Sequence, residues 1–110
     1  MTSVSKERWG TLTLAEQLGN IASEVGRAAK WQGIDEDSFW GAVARTLELL
    51  LDLTRMDKRW RNRRREIDMA KEVFSDAVLG GHEYNSFLPD LERYFMQFAY
   101  LARSRSGSFN

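Results

Sequence analysis

The 110 residues carry 16 Lys or Arg against 16 Asp or Glu, so no global charge draws the chain toward nucleic acid or anionic lipid. Hydrophobic residues make up 43% and charged residues 29%, too apolar for a disordered chain, and the length suits one domain, 1–110, with its own core. There is no cysteine, which excludes disulfides, thiolate catalysis and cysteine-held zinc. No apolar run approaches a membrane span and the start MTSVSKERWG has no leader-like apolar stretch, so the expected address is the cytoplasm.

Residues 1–11 show no helical period and are expected to be loosely ordered. Thr13, Leu14, Ala15 and Glu16 form a capping-box pattern, in which hydroxyl and carboxylate each satisfy an orphan amide. Leu14, Leu18, Ile21, Ala22, Val25 and Ala29 then recur at three- and four-residue steps, predicting a first helix over 13–31 that Gly33 ends in a short turn. Asp35, Glu36 and Asp37 gather where a second helix, 36–58, begins, because carboxylates cap and favour the positive end of the dipole. Phe39, Val43, Leu47, Leu50 and Thr54 make its main stripe. Trp40, Ala44 and Leu51 lie beside that stripe, a width that implies two neighbours.

A third helix, 62–79, carries Ile67, Ala70, Phe74, Ala77 and Val78 on one side, with Asn62 as its expected N-cap and Gly80-Gly81 as its stop. The fourth, 87–103, opens with Pro89 in its first turn and presents Leu88, Leu91, Phe95, Phe98 and Ala102. Residues 104–110 are expected to be loosely ordered. Four helices joined by short connections predict an all-α, antiparallel up-down four-helix bundle. The alternative is a three-helix core whose fourth helix is donated to a partner chain.

Charge is strongly segregated along the chain. Positions 58–65 hold Lys58, Arg59, Arg61, Arg63, Arg64 and Arg65, a local +6 that the rest of the chain offsets with −6. Arginines that open a helix face the positive end of its dipole, which stability alone does not select. A solvated hairpin end is the plain reading. A nucleic-acid or other anionic partner is the functional one. A low-ranked metal candidate is the acid set Glu16, Glu24, Glu48 and Asp52, which would hold Mg²⁺ if it converged between helices, as in all-helical nucleotide pyrophosphatases. The Glu-x-x-Glu and Glu-x-x-Asp spacings of those enzymes are not present among these four acids. Ion pairing with Arg45 and Arg55 accounts for Glu48 and Asp52 without a metal.

Gly19, Ala22, Ser23 and Gly26 form a small-residue line on the first helix, consistent with the close passage of another helix. Trp9, Trp31, Trp40 and Trp60 sit near predicted helix ends, where large amphipathic rings seal bundle caps or form dimer contacts. Both features point to a homo-oligomer. The only histidine, His82, stands with Tyr84 in the predicted loop 82–86.

LTLAEQLGNIASEVGRAAKW, ARTLELLLDLT and HEYNSFLPDLERYFMQFAYLAR, together spanning 12–103, resemble a group of short prokaryotic all-helical proteins distantly similar to HEPN-type bundles. The resemblance implies a small helical bundle and sets His82-x-Tyr84 beside the His-x-Tyr of the HEPN nucleotide-binding motif. The Arg which that motif places four to six residues before its His is not present in this chain. The expected function is an interaction module binding a macromolecular partner, for example one half of a prokaryotic toxin–antitoxin-like pair. RNA or nucleotide binding through 58–65 and a Mg²⁺-dependent nucleotide hydrolase are the alternatives. No cofactor motif is present, and no membrane partner is expected.

Overall fold

Thr13 starts the first long helix by the reciprocal bonds its sequence implies. The Glu16 amide donates to Thr13 Oγ1 at 3.1 Å, and the Thr13 amide donates to Glu16 Oε1 at 2.8 Å. The computed structural model describes residues 6–79 and 87–107, apart from the side chains at 52, 101, 102 and 104–107. It contains five α-helices and, among the described residues, no strand: α1 Lys6–Trp9, α2 Leu14–Trp31, α3 Glu36–Leu47, α4 Arg64–Val78 and α5 Leu88–Gly107.

Gly33 reverses the chain after α2 with a φ of 77°, a left-handed conformation that a side chain resists. Asp35 then caps α3 by accepting from the Ser38 amide at 3.3 Å. The second helix expected over 36–58 is not uniform. After Leu47 it widens into a π-helical stretch, Glu48–Thr54, closed by the Arg55 amide on Leu50 O at 3.2 Å. This wider winding buries Leu49, Leu50 and Thr54 together. Asp57 next caps a 3-10 stretch, Lys58–Arg63, which kinks at Trp60 (φ −105°, ψ 24°) before α4 begins.

Asn62 is therefore not an N-cap. It lies inside the 3-10 stretch, and α4 starts two residues later behind Arg63 with no side-chain cap. The N-terminal segment also differs from expectation: α1 forms a turn of helix, and Trp9 is driven into the core at 1% exposure. At the other end α5 runs on to Gly107, past the expected boundary at 103. Gly80 and Gly81, the expected stop of the third helix, lie outside the described residues.

α2 is the central element, packed by α3 and, more extensively, by α5. α4 touches the π-helical stretch and α5 more sparingly. Leu18, Ile21, Ala22, Val25 and Ala28 of α2 meet Phe39, Ala42 and Val43 of α3, Phe74 of α4, and Leu88, Leu91, Phe95 and Ala99 of α5 in one core. That core holds the basic segment at the far end of α3 from Asp35.

Candidate anionic-partner interface

Residues 58–65 form the turn between the π-helical stretch and α4, and the interior anchors it. The Trp60 indole Nε1 donates to Gln17 Oε1 at 2.8 Å. Gln17, fully buried, spends its amide nitrogen on Trp9 O at 2.9 Å, with Asp57 Oδ2 at 3.5 Å beyond. Trp9 Nε1 in turn donates to Thr54 Oγ1 at 3.2 Å, and Thr54 is also fully buried. Two indoles, an amide and a hydroxyl thus satisfy one another between α1, α2 and the start of the basic turn. Unpaired, each would carry a desolvation cost.

The six cations of 58–65 divide by environment. Arg59 is held by Asp57, its Nη2 at 2.6 Å from Oδ2 and its Nε at 3.0 and 3.1 Å from the two carboxylate oxygens. Its guanidinium also lies 4.6 Å from the Trp60 ring centre, a cation–π contact. Arg59's hydrogen bonds pull the Asp57 carboxyl below its ordinary value against an opposing effect of burial, and the same pairing raises Arg59. Arg63 stands 4.0 Å from Glu66 and 5.7 Å over the Phe98 ring of α5. Arg64 is half-buried, and its Nε lies in the interior with no hydrogen-bond partner. Lys58, Arg61 and Arg65 are exposed and have no ion-pair partner among the described residues. Arg55, just before the turn, is engaged at 2.6 Å by Asp68 of α4.

The acids considered for a metal are not brought together. Glu16 is engaged in the cap of α2, and Glu48 is exposed on the π-helical stretch. Glu24, 4% exposed, is clamped between Arg27 Nη1 at 2.7 Å and Arg45 Nε at 3.0 Å. The Asp52 side chain lies outside the described residues. Among those residues no three His, Asp or Glu side chains gather to hold a metal ion. A clamped carboxylate with two cations already on it is a structural ion pair.

The small-residue line is only partly a seam. Ala22 is fully buried, and a Cβ on Gly26 would lie 2.6 Å from the Glu92 carboxylate of α5. Gly19 has open space where its Cβ would be, and Ser23 is exposed with its hydroxyl donating to Gly19 O at 3.2 Å. The close neighbour is thus α5 of the same chain, and it approaches at Gly26 alone of the two glycines. His82 and Tyr84 lie outside the described residues. No described helix is long and apolar enough to cross a membrane.

Sequence reasoning missed the Trp9–Gln17–Trp60 network. One signal was present: Gln17 occupies a core position of the first helix, three residues after Leu14 and four before Ile21. An amide on an apolar stripe calls for interior partners. No family model, no curated protein and no solved structure matches this chain.

Proposed function

We propose that this chain is an interaction module that takes an acidic protein segment on the basic turn between α3 and α4, as one half of a two-protein system of toxin–antitoxin type would. The four long helices are read as an antiparallel up-down bundle, with the turn as one wet end. The observation that carries the reading is that Lys58, Arg61 and Arg65 stand exposed, with no ion-pair partner among the described residues, on a turn pinned by the Trp60–Gln17 bond. A pre-positioned cation cluster loses little further entropy when an anion docks.

An acidic protein segment fits this turn better than a polyphosphate backbone. Asp57, Glu66 and Asp68 border the exposed cations. A nucleic-acid strand leaving the turn along α4 would meet Glu66, Asp68, Glu72 and Asp76 in succession. A short acidic segment confined to Lys58, Arg61 and Arg65 does not reach Glu72 and Asp76 further along α4.

The test is fluorescence anisotropy with a labelled oligoglutamate peptide and, separately, a labelled single-stranded RNA oligonucleotide. The expected result is salt-sensitive peptide binding, lost in a Lys58→Ala, Arg61→Ala, Arg65→Ala variant. RNA binding tighter than peptide binding, with a log–log salt slope steeper than the roughly −2 that three phosphate contacts allow, transfers the turn to nucleic acid. No binding of either probe ends the reading.

A further inference from the structure

α1 is held to the rest of the molecule by one buried side chain. Trp9 alone of its four residues is buried, while Lys6, Glu7 and Arg8 are exposed and the helix packs sparsely on the others. Its own hydrogen bonds are local. The Gly10 amide donates to Lys6 O at 3.1 Å, and Thr11 gives Arg8 O both its amide, at 3.0 Å, and its hydroxyl, at 2.7 Å. α2 does not need this turn in order to start, because Thr13 and Glu16 cap it from within. A short element with few buried contacts and self-contained bonds opens at lower free energy than the core it rests on.

Trp9 nevertheless reaches the basic turn from two sides. Its indole N–H donates to Thr54, the last residue of the π-helical stretch that leads into the turn, and its carbonyl accepts from Gln17. The Gln17 amide has one donating and one accepting end. With its nitrogen on the Trp9 carbonyl, its oxygen is turned toward the Trp60 indole, which has only a hydrogen to give. Reversed, the amide would set N–H against N–H and oxygen against oxygen. Asp57 Oδ2 stands farther from the same nitrogen, at 3.5 Å, and holds it weakly. Trp9 is thus a positioning residue for Trp60, acting through Gln17, and it fixes Thr54 at the same time.

We propose that α1 is a strap on the basic turn: it swings away as a unit ahead of Thr13 while α2, α3 and α5 stay folded, and only its docked state holds Thr54 and Trp60 where the turn presents Lys58, Arg61 and Arg65 together. With Trp9 withdrawn, water enters its seat, Gln17 is free to turn over, and the turn spreads over several conformations. The coupling is reciprocal, so loosening the turn also loosens the strap. The consequence for binding rests on the reading of the turn as a site for an acidic segment, whereas the coupling itself does not. Opening lowers the fraction of chains whose cations are pre-positioned, and the apparent affinity falls with that fraction.

Hydrogen exchange of the full chain, read by mass spectrometry, tests the coupling through Gly10→Pro. Position 10 is exposed, and a Cβ there meets only Glu7 O and Lys6 O of its own turn. Proline removes the bond to Lys6 and drives Trp9 off its helical backbone angles without altering a side chain of the basic turn. The expected result is exchange at least about tenfold faster over residues 55–64, with 18–28 and 88–99 unchanged. Trp60→Phe removes the donor at the other end and is expected to speed exchange over 6–12, and it serves alone if the proline variant does not fold. Faster exchange confined to 6–12 in Gly10→Pro overturns the proposal. So does an equal rise in every segment, or a strap indifferent to Trp60→Phe. Anisotropy with the labelled oligoglutamate peptide is expected to show weaker binding by Gly10→Pro, and unchanged affinity beside faster exchange at 55–64 overturns the link to binding. Should the unaltered chain bind no peptide, the reading of the turn falls and the exchange comparison still decides the strap.

Discussion

Trp60 donates its indole hydrogen to Gln17 across 43 residues of sequence, at 2.8 Å, and that bond ties the basic turn to the central helix. Replacing Gln17 by Leu keeps the volume but leaves the Trp60 N–H and the Trp9 carbonyl without their partners. An unmade bond at a buried polar group costs about 1–3 kcal/mol, so Gln17→Leu is expected to destabilise by about 2–4 kcal/mol in urea unfolding. Trp60→Phe removes donor and ring edge together and is expected to cost less, about 1–2 kcal/mol. The double variant should cost less than the sum of the two, because each change spares the other's orphan. Strict additivity would show that the bond does not form in solution.

The pH dependence follows from Asp57. Its folded carboxyl lies below the ordinary value of 3.8, chiefly through its hydrogen bonds with Arg59. A depressed carboxyl contributes stability that is present above the unfolded value and is lost as pH falls through the folded one. Stability is therefore expected to hold from neutrality down to about pH 4 and to fall below it. Asp57→Asn should flatten this acid limb in melting temperatures measured between pH 2 and pH 5. An unchanged limb would assign the acid sensitivity to other carboxylates.

Glu24 separates its two arginines by their surroundings. Arg45 reaches it from α3 with its side chain 33% exposed, whereas Arg27 is a neighbour on the same helix and 48% exposed. Arg45→Ala breaks a tie between two helices to a buried carboxylate and is expected to cost about 1–2 kcal/mol. Arg27→Ala removes a more exposed i,i+3 pair and is expected to cost about 0.5 kcal/mol or less. Chemical denaturation of the two single variants checks the order, and equal losses would contradict it.

The two interior glycines of α2 give opposite expectations from one sequence pattern. Gly19→Ala places its methyl in open space and is expected to stabilise by about 0.5–1 kcal/mol through helix propensity and a less free unfolded chain. Gly26→Ala must displace the Glu92 carboxylate, whose flexible end can move at a small cost. Its gain is expected to be smaller. Thermal unfolding of both variants reads the difference, and a larger gain at Gly26 would place Glu92 elsewhere.

What the sequence by itself determined is what contacts within a few residues control. The Thr13–Glu16 box, the Asp35 cap and the Gly33 turn each act over three or four positions, so the start of α2, its end and the start of α3 were legible before any packing was known. The apolar stripes of α2, α4 and α5 were legible for the same reason, since a helix repeats its face every three or four residues. Asn62 was misread because 3-10 winding, set off by the Asp57 cap, carries the chain past it and moves the start of α4 to Arg64.

Only the tertiary structure decided which polar groups share the interior. Trp9, Gln17, Thr54 and Trp60 are brought together over separations of 43 and 45 residues, and Glu24 reaches Arg45 over 21. No local period encodes such distances. The partner of a buried amide or carboxylate is settled when helices pack, because only then does leaving it unpaired become costly. The basic segment divides only partly on this ground: Arg59 pairs with Asp57 and Arg63 with Glu66 within three residues, whereas packing sets Arg63 over the Phe98 ring of α5 and leaves Lys58, Arg61 and Arg65 facing water.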